Sequence, residues 1–202
     1  MDIKNSKFMA DCSQNDKGKE AIMSFQISWI LRCASDSDIK QRFPKLYNKT
    51  RDITFKLLGM EQSDNTNVEI SNVKVWKEWN NIDILANIKL SKNGVPEPYQ
   101  VLIVENKVYT QLTEAQRDEY PNKVILEYND YGGEFIGYQL HQVIISCLEP
   151  EGQEFLNLQE MCKGTKWRVL NYSDLVDWDT EELTESDLFN EFWYARWDPI
   201  SE

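Results

Sequence analysis

The chain has few of the residues that most catalytic and metal sites use. Its 202 residues include one histidine, His141, and four cysteines that form no C-x-x-C pair. A lone histidine excludes most Ser-His-Asp and Cys-His arrangements, and the lack of clustered thiols and imidazoles argues against a zinc site. The G-x-x-x-x-G-K-[ST], G-x-S-x-G and H-E-x-x-H motifs are also absent.

Long apolar runs are lacking as well. No stretch approaches the roughly 18 apolar residues that a membrane-spanning helix needs. The first residues, M-D-I-K-N-S-K-F-M-A-D, contain no apolar region of a secretion signal. We therefore expect a cytoplasmic protein with free thiols at Cys12, Cys33, Cys147 and Cys162, and we place Cys33 and Cys147 in the core.

Positive charge is scarce, because 22 basic residues face 34 acidic ones and the net charge is −12. Such a balance argues against a nucleic-acid partner. The acids are concentrated at one end, however: residues 174–202 hold ten acids and one base, whereas the other 173 residues hold 24 acids and 21 bases. The body of the protein is nearly neutral, and a local basic groove is compatible with it.

The most informative stretch is 81–107, where charged residues stand inside two apolar runs. Side chains alternate between the two faces of a strand, so Asp83 takes one face of the first strand and Ile82 the other. Glu105 and Lys107 share one face of the second strand. A buried carboxylate is costly unless it is paired or binds a metal. The pattern therefore indicates two carboxylates and an amine that converge at the end of a sheet and hold a hard cation.

An aspartate on one strand followed by Glu-x-Lys on the next resembles the PD-(D/E)XK nuclease superfamily. The matching residues are Asp83 and Glu105-Asn106-Lys107, followed by Q-R-D-E-Y, which has Gln116 and Tyr120 where many members carry Q-x-x-x-Y. Glu20 matches an early helical glutamate of many members, and segments 141–152 and 167–175 look like later core elements. One departure is Asn80-Asn81, which stands where relatives often have Gly-Arg.

The resemblance implies an α/β fold with a restriction-endonuclease-like core, a central mixed sheet of four to five strands flanked by helices. It implies a nuclease that hydrolyses phosphodiester bonds in nucleic acid, with DNA as the expected substrate and Mg²⁺ or Mn²⁺ as the cofactor. The implied metal ligands are Asp83, Glu105, the backbone of Asn106 and, as a further candidate, Glu20. Lys107 and Gln116 are the other implied catalytic residues, Tyr120 supports them, and Lys77, Lys89 and Arg117 are candidate nucleic-acid contacts. A homodimer is compatible with the resemblance.

The chain is divided into a loose segment over 1–16, a nuclease-like domain over 17–176, and an acidic aromatic helical extension over 177–202 that packs on the same domain. Apolar spacing predicts helices over 17–34, about 45–58, 111–120 and 153–163, and strands over 68–79, 81–90, 99–108, 142–148 and 167–172. On the first helix the predicted apolar face includes Phe25. Pro121 is predicted to break or kink its helix, and Gly132-Gly133 to form a turn.

Several alternatives stay open at this point. Asp83 and Lys107 could form a buried ion pair without chemistry, and Thr113-x-x-Gln116 could be a capping box that makes Gln116 structural. The same fold could serve a non-catalytic interaction protein whose acidic tail binds a protein partner or mimics nucleic acid. Chemistry on another phosphate ester is also compatible with the site.

Overall fold

The computed structural model describes residues 16–60, 67–107, 112–131, 137–176 and 182–194. The helices are α1 Asp16–Cys33, α2 Ser37–Arg42, α3 Pro44–Leu58, α4 Glu114–Tyr131, α5 Gln153–Cys162 and α6 Asp187–Tyr194. The strands are β1 Val68–Trp79, β2 Ile82–Lys92, β3 Val95–Pro96, β4 Gln100–Lys107, β5 Gln139–Ser146 and β6 Trp167–Asn171. Apart from α4, the predicted helices and strands given above agree with these bounds to within three residues.

The strands form one mixed sheet in the order β1-β2-β4-β5-β6, and β3 pairs with β2. The pairs β1–β2 and β2–β4 are antiparallel, whereas β4–β5 and β5–β6 are parallel. The start of β2 therefore meets the carboxyl ends of β4, β5 and β6 at one edge of the sheet. The predicted mixed sheet flanked by helices is confirmed; its main path has five strands, and the two-residue β3 is a sixth.

Helices cover both faces of the sheet and enclose two cores. The first core joins Ile84 and Val104 to α1, α3 and α6, and the second joins Leu85 and Ile103 to α4 and α5. This alternation along the strands follows the predicted period of two. Ile82 is an exception: it was predicted on the face of Ile84 but packs in the second core. It follows the turn directly and pairs across it with Trp79, which packs against the same core.

Pro121 lies inside α4 and does not end it, so the prediction of a helix that stops at residue 120 is wrong. A proline has no N–H to donate to the carbonyl four residues earlier, which in α4 is the carbonyl of Arg117. The indole N–H of Trp167 on β6 donates to that carbonyl at 2.8 Å. A distant residue thus satisfies the acceptor that Pro121 leaves open, and the helix continues to Tyr131.

On α1, the predicted apolar face is partly wrong. Met23, Ile27 and Ile30 are fully buried in the first core, whereas Phe25 is 58% exposed. Residues 23, 27 and 30 follow the spacing of four and three that one helix face requires. Phe25 lies on a different part of the helix surface, so its apolar side chain has no part in this core.

The last helix, α6, packs into the first core through its aromatic residues. Phe189, Phe192 and Trp193 are at most 1% exposed, while Leu188 on the same helix is exposed. Ahead of α6, the carboxylate of Glu185 accepts hydrogen bonds from the backbone N–H groups of Lys45 and Leu46 at 3.2 and 3.0 Å. These donors are at the start of α3, so part of the acidic tail caps a helix of the body.

Within the described ranges, no helix is both long and apolar enough to cross a membrane. Cys33, Cys147 and Cys162 are buried, so the core positions predicted for Cys33 and Cys147 are confirmed. Cys12, the predicted Gly132-Gly133 turn and, apart from Asp16, the predicted loose segment 1–16 lie outside the described residues.

Candidate active site

Asp83 is the second residue of β2 and comes directly after the tight turn from β1. Asn80 and Asn81 form this turn with φ angles of 51° and 69°. Asparagine tolerates such left-handed angles better than most residues, and two of them in succession suit the twist of a two-residue hairpin. The Asn-Asn pair therefore has a structural explanation, because it forms the turn from which β2 and Asp83 begin.

The two motif strands are β2, which carries Asp83, and β4, which carries Glu105. A backbone N–H of each strand donates a hydrogen bond to the carboxylate of the other. Ile84 pairs with Val104, which puts Asp83 opposite Glu105. The N–H of Asp83 donates to Oε1 of Glu105 at 3.2 Å, and the N–H of Asn106 donates to Oδ2 of Asp83 at 2.7 Å. Two carboxylates are thus fixed side by side by reciprocal backbone hydrogen bonds.

Lys107 joins these acids from the same strand face as Glu105. Its Nζ lies 3.4 Å from Oε2 of Glu105, and the two side chains are only 10% and 1% exposed. Among the described residues, Lys107 forms its ion pair with Glu105. Its positive charge also acts on Asp83, where burial raises the pKa and this charge lowers it. The site brings together the two acids and the amine that the strand pattern predicted to converge.

Burial makes both acids harder to ionise than in water. It raises the pKa of Glu105 to about 7; the charge of Asp83 adds to the rise, while Lys107 and the N–H of Asp83 oppose it. Burial also raises the pKa of Asp83, against the hydrogen bond from Asn106 and the charge of Lys107. Two crowded carboxylates with raised pKa values favour a bound cation, because its charge stabilises their ionised forms.

The raised pKa of Glu105 predicts how the stability of the metal-free protein depends on pH. The folded state binds this proton more tightly than the unfolded state, so the contribution of Glu105 to stability is complete below pH 4.5 and is lost as the pH rises through about 7. In Glu105→Gln this loss disappears. As the pH rises, the free energy of unfolding of wild type therefore falls relative to that of the variant, by at most about 1.4 kcal/mol per pH unit. Urea unfolding in EDTA between pH 4.5 and 8 measures the difference; parallel curves would contradict it.

Two further acids face Asp83 across a small cleft. Glu20 and Ser24 of α1, Glu78 of β1 and Asp83 line this cleft, which has a volume of about 180 Å³. The charges of Glu20 and Glu78 both contribute to raising the pKa of Asp83. Glu78 was not among the residues predicted for the site, although the two-residue turn places it opposite Asp83 in the hairpin.

The donor set fits a hard divalent cation. Asn106 is 1% exposed, and its amide Nδ2 donates to Oγ of Ser24 at 2.8 Å. Its Oδ1 is a buried acceptor with no hydrogen-bond partner among the described residues. Mg²⁺ needs only one or two carboxylates because it keeps several waters. Asp83 and Glu105 supply two such carboxylates; in the described part of the chain, no group of three or more His, Cys, Asp or Glu is arranged to hold a metal.

A family model described as the PD-(D/E)XK nuclease superfamily matches residues 3–192. The chain belongs to the PD-(D/E)XK nuclease superfamily. The match extends over all six strands and the described helices up to Phe192, so it includes both motif strands and most of α6. Comparisons with curated proteins and with solved structures gave no match.

On α4, the Q-x-x-x-Y residues of this PD-(D/E)XK chain form a linked pair. The N–H of Thr113 donates to Oε1 of Gln116, and the N–H of Gln116 donates to Oγ1 of Thr113, both at 3.1 Å. These two hydrogen bonds form the capping box that was the structural alternative for Gln116. Nε2 of Gln116 donates to the hydroxyl of Tyr120 at 3.2 Å. Burial raises the pKa of Tyr120, and the charge of Glu105 adds to it, so Tyr120 is close enough to sense the acids. A catalytic part for Gln116 stays a prediction.

Not all of the three residues predicted to contact nucleic acid lie near the PD-(D/E)XK motif. Lys77 lines the cleft beside Asp83. Lys89 is six residues further along β2, about 20 Å away at the rise of a strand, and its Nζ lies over the ring of Tyr99. Arg117 pairs with Asp118 and donates to the carbonyl of Met161 at the end of α5. Only Lys77 of these three therefore lies beside the motif acids.

Proposed function

We propose that this chain is a divalent-metal-dependent nuclease that hydrolyses phosphodiester bonds in DNA. The observation that carries the proposal is the arrangement of Asp83, Glu105 and Lys107, in which two reciprocally braced acids and a buried amine share one edge of the sheet. Membership of a nuclease superfamily supports the reaction class. A non-catalytic scaffold does not need all three groups, and burial of these charges is costly unless they are used or fully paired.

Asp83, Glu105 and the backbone carbonyl of Asn106 would hold Mg²⁺ or Mn²⁺, with Glu20 as a further ligand. The cation supplies Lewis-acid chemistry, which makes a water more acidic and neutralises charge on the scissile phosphate. Reciprocal backbone hydrogen bonds keep Asp83 and Glu105 in place before any ligand arrives, so little reorganisation is needed on binding. Glu78 adds negative charge at the same edge.

Lys107 is the group that acts on the water or on the developing charge. As an ammonium, held against Glu105, it can orient the attacking water or stabilise the negative charge that builds on the phosphate. As the neutral amine, it can instead take the proton of that water. Tyr120, linked to Gln116, supports this side of the site from α4.

Nicking of supercoiled plasmid in Mg²⁺ and in EDTA, with matched RNA as a second substrate, tests the proposal on wild type and Asp83→Asn. We expect wild type to nick DNA only with the cation, and the variant to be slower by about 10²-fold or more because it loses a ligand. Asp38→Asn, the same change at an exposed residue of α2, is the control and should keep full activity. Cleavage of RNA alone would contradict the DNA assignment, and equal nicking by Asp83→Asn would contradict the site.

A further inference from the structure

The exposed side chain of Phe25 lies beside the acidic site rather than on an unrelated surface. Single exposed apolar residues are common, so exposure alone carries no argument. Phe25, however, lines the same cleft as Asp83, one helix position beyond Ser24, whose hydroxyl is bonded to Asn106. The residue is 58% exposed. A flat apolar surface is therefore presented next to the acids that would hold the cation.

Lys77 is held on that ring. Its Nζ lies 3.1 Å from the centroid of Phe25, well inside the distance at which a cation is attracted to an aromatic face. The contact joins β1 to α1, and both residues line the cleft. Lys77 is the only cationic side chain among the described residues that line the cleft.

The charges around the cleft require such a group if a phosphate is to enter. Glu20, Glu78 and Asp83 line it together with Lys77, so the lining would repel a phosphate without added positive charge. Lys77 supplies a positive charge beside the cation that Asp83 would hold. An aromatic ring with an adjacent amine is the combination that binds a base by stacking and its phosphate by charge.

We propose that Phe25 and Lys77 dock one nucleotide next to the scissile phosphate, with the base stacked on the face of the Phe25 ring opposite the ammonium and its phosphate on Lys77. The inference rests on the proposed nuclease function and adds the strand state of the substrate. A base inside a duplex is already stacked on its neighbours and cannot also lie on Phe25. The preferred substrate is therefore single-stranded DNA, or duplex DNA with an unpaired base at the cleft.

The test is binding of a labelled single-stranded oligonucleotide and its duplex by fluorescence anisotropy, in Ca²⁺ in place of Mg²⁺, with intact substrate checked on a gel. A series of oligonucleotides carries one abasic residue at each position in turn. We expect wild type to prefer the single strand, and one abasic position to weaken its binding about 5- to 150-fold, the range for loss of one base–aromatic stack. Phe25→Ala should lose the same factor and become insensitive to that position, and Phe25→Trp should recover it.

Lys77→Met should weaken binding. It should also lower by about one the number of counterions released on binding, which the salt dependence of the affinity measures. Lys74→Met, the same change on the same strand but three residues away and hence on its other face, should leave the salt dependence unchanged. Leu126→Ala, at another exposed apolar side chain, should bind like wild type.

Equal responses of wild type and Phe25→Ala to every abasic position would overturn this inference while leaving plasmid nicking and its loss in Asp83→Asn intact. Loss of self-association in Phe25→Ala with unchanged strand binding, seen by ultracentrifugation, would assign the ring to a protein contact and also overturn it. Failure of wild type both to bind and to cut any nucleic acid would overturn the proposed function itself.

Discussion

Replacing Lys107 with methionine is expected to lower the rate of DNA cleavage by about 10²- to 10⁴-fold, the range for removal of a positioned proton-transfer or charge-stabilising group. Methionine preserves most of the volume of the side chain but removes the ammonium that lies 3.4 Å from Glu105. The fold should survive, because Glu105 already has a pKa of about 7 and can take up a proton when its partner is gone. Single-turnover cleavage rates at saturating Mg²⁺ measure the effect.

The control for Lys107→Met is Lys163→Met. Lys163 also pairs with a glutamate, Glu160 at 3.1 Å, but both side chains are more than 70% exposed, so we expect no change in rate. The alternative of a purely structural ion pair predicts the opposite result for Lys107→Met: cleavage would be retained, and only stability would change.

Replacing Trp193 with alanine is expected to lower the free energy of unfolding by about 3–5 kcal/mol, the usual cost of removing a buried large aromatic side chain. Trp193 is fully buried in the first core together with Phe189 and Phe192. Such a loss is a large part of the roughly 5–15 kcal/mol that keeps a domain folded. Urea unfolding followed by circular dichroism measures it.

Leu188→Ala is the matched control for Trp193→Ala, because Leu188 is on the same helix but 37% exposed; it should change stability by only about 0.5 kcal/mol. A chain that ends at Val176 should lose cooperative unfolding, since it lacks the whole of α6. If that shortened chain folded normally and Trp193→Ala were as stable as wild type, the tail would be an accessory segment, and the alternative of a partner-binding or nucleic-acid-mimicking tail would gain support.

The parts of the site that sequence could predict are those determined by local geometry. Alternation along a strand puts Glu105 and Lys107 on one face wherever the strand lies, and the antiparallel pairing of consecutive strands brings Asp83 opposite Glu105. Glu78 was missed although the same rule applies to it. Counting back across the two-residue turn at Asn80-Asn81 gives its place opposite Asp83, and only the turn type had to be recognised.

The parts that could not be predicted depend on distant partners. Pro121 is tolerated inside α4 because Trp167, 46 residues later, satisfies the carbonyl that the proline leaves open. The spacing on α1 indicated an apolar helix but not which residues face the core, so Phe25 was assigned to the wrong side. The positions of Lys89 and Arg117 likewise depend on the sheet order, which nearness in sequence to the motif does not reveal.

The most direct test of the central claim is calorimetric titration of Mg²⁺ and Mn²⁺ into wild type and into the Asp83→Asn/Glu105→Gln double variant, with plasmid nicking run on the same samples. We predict that wild type binds the cation and nicks DNA and that the double variant, folded by circular dichroism, does neither. A folded wild type that binds no cation, either alone or with a DNA oligonucleotide present, would contradict the claim that these two carboxylates form the metal site of a nuclease.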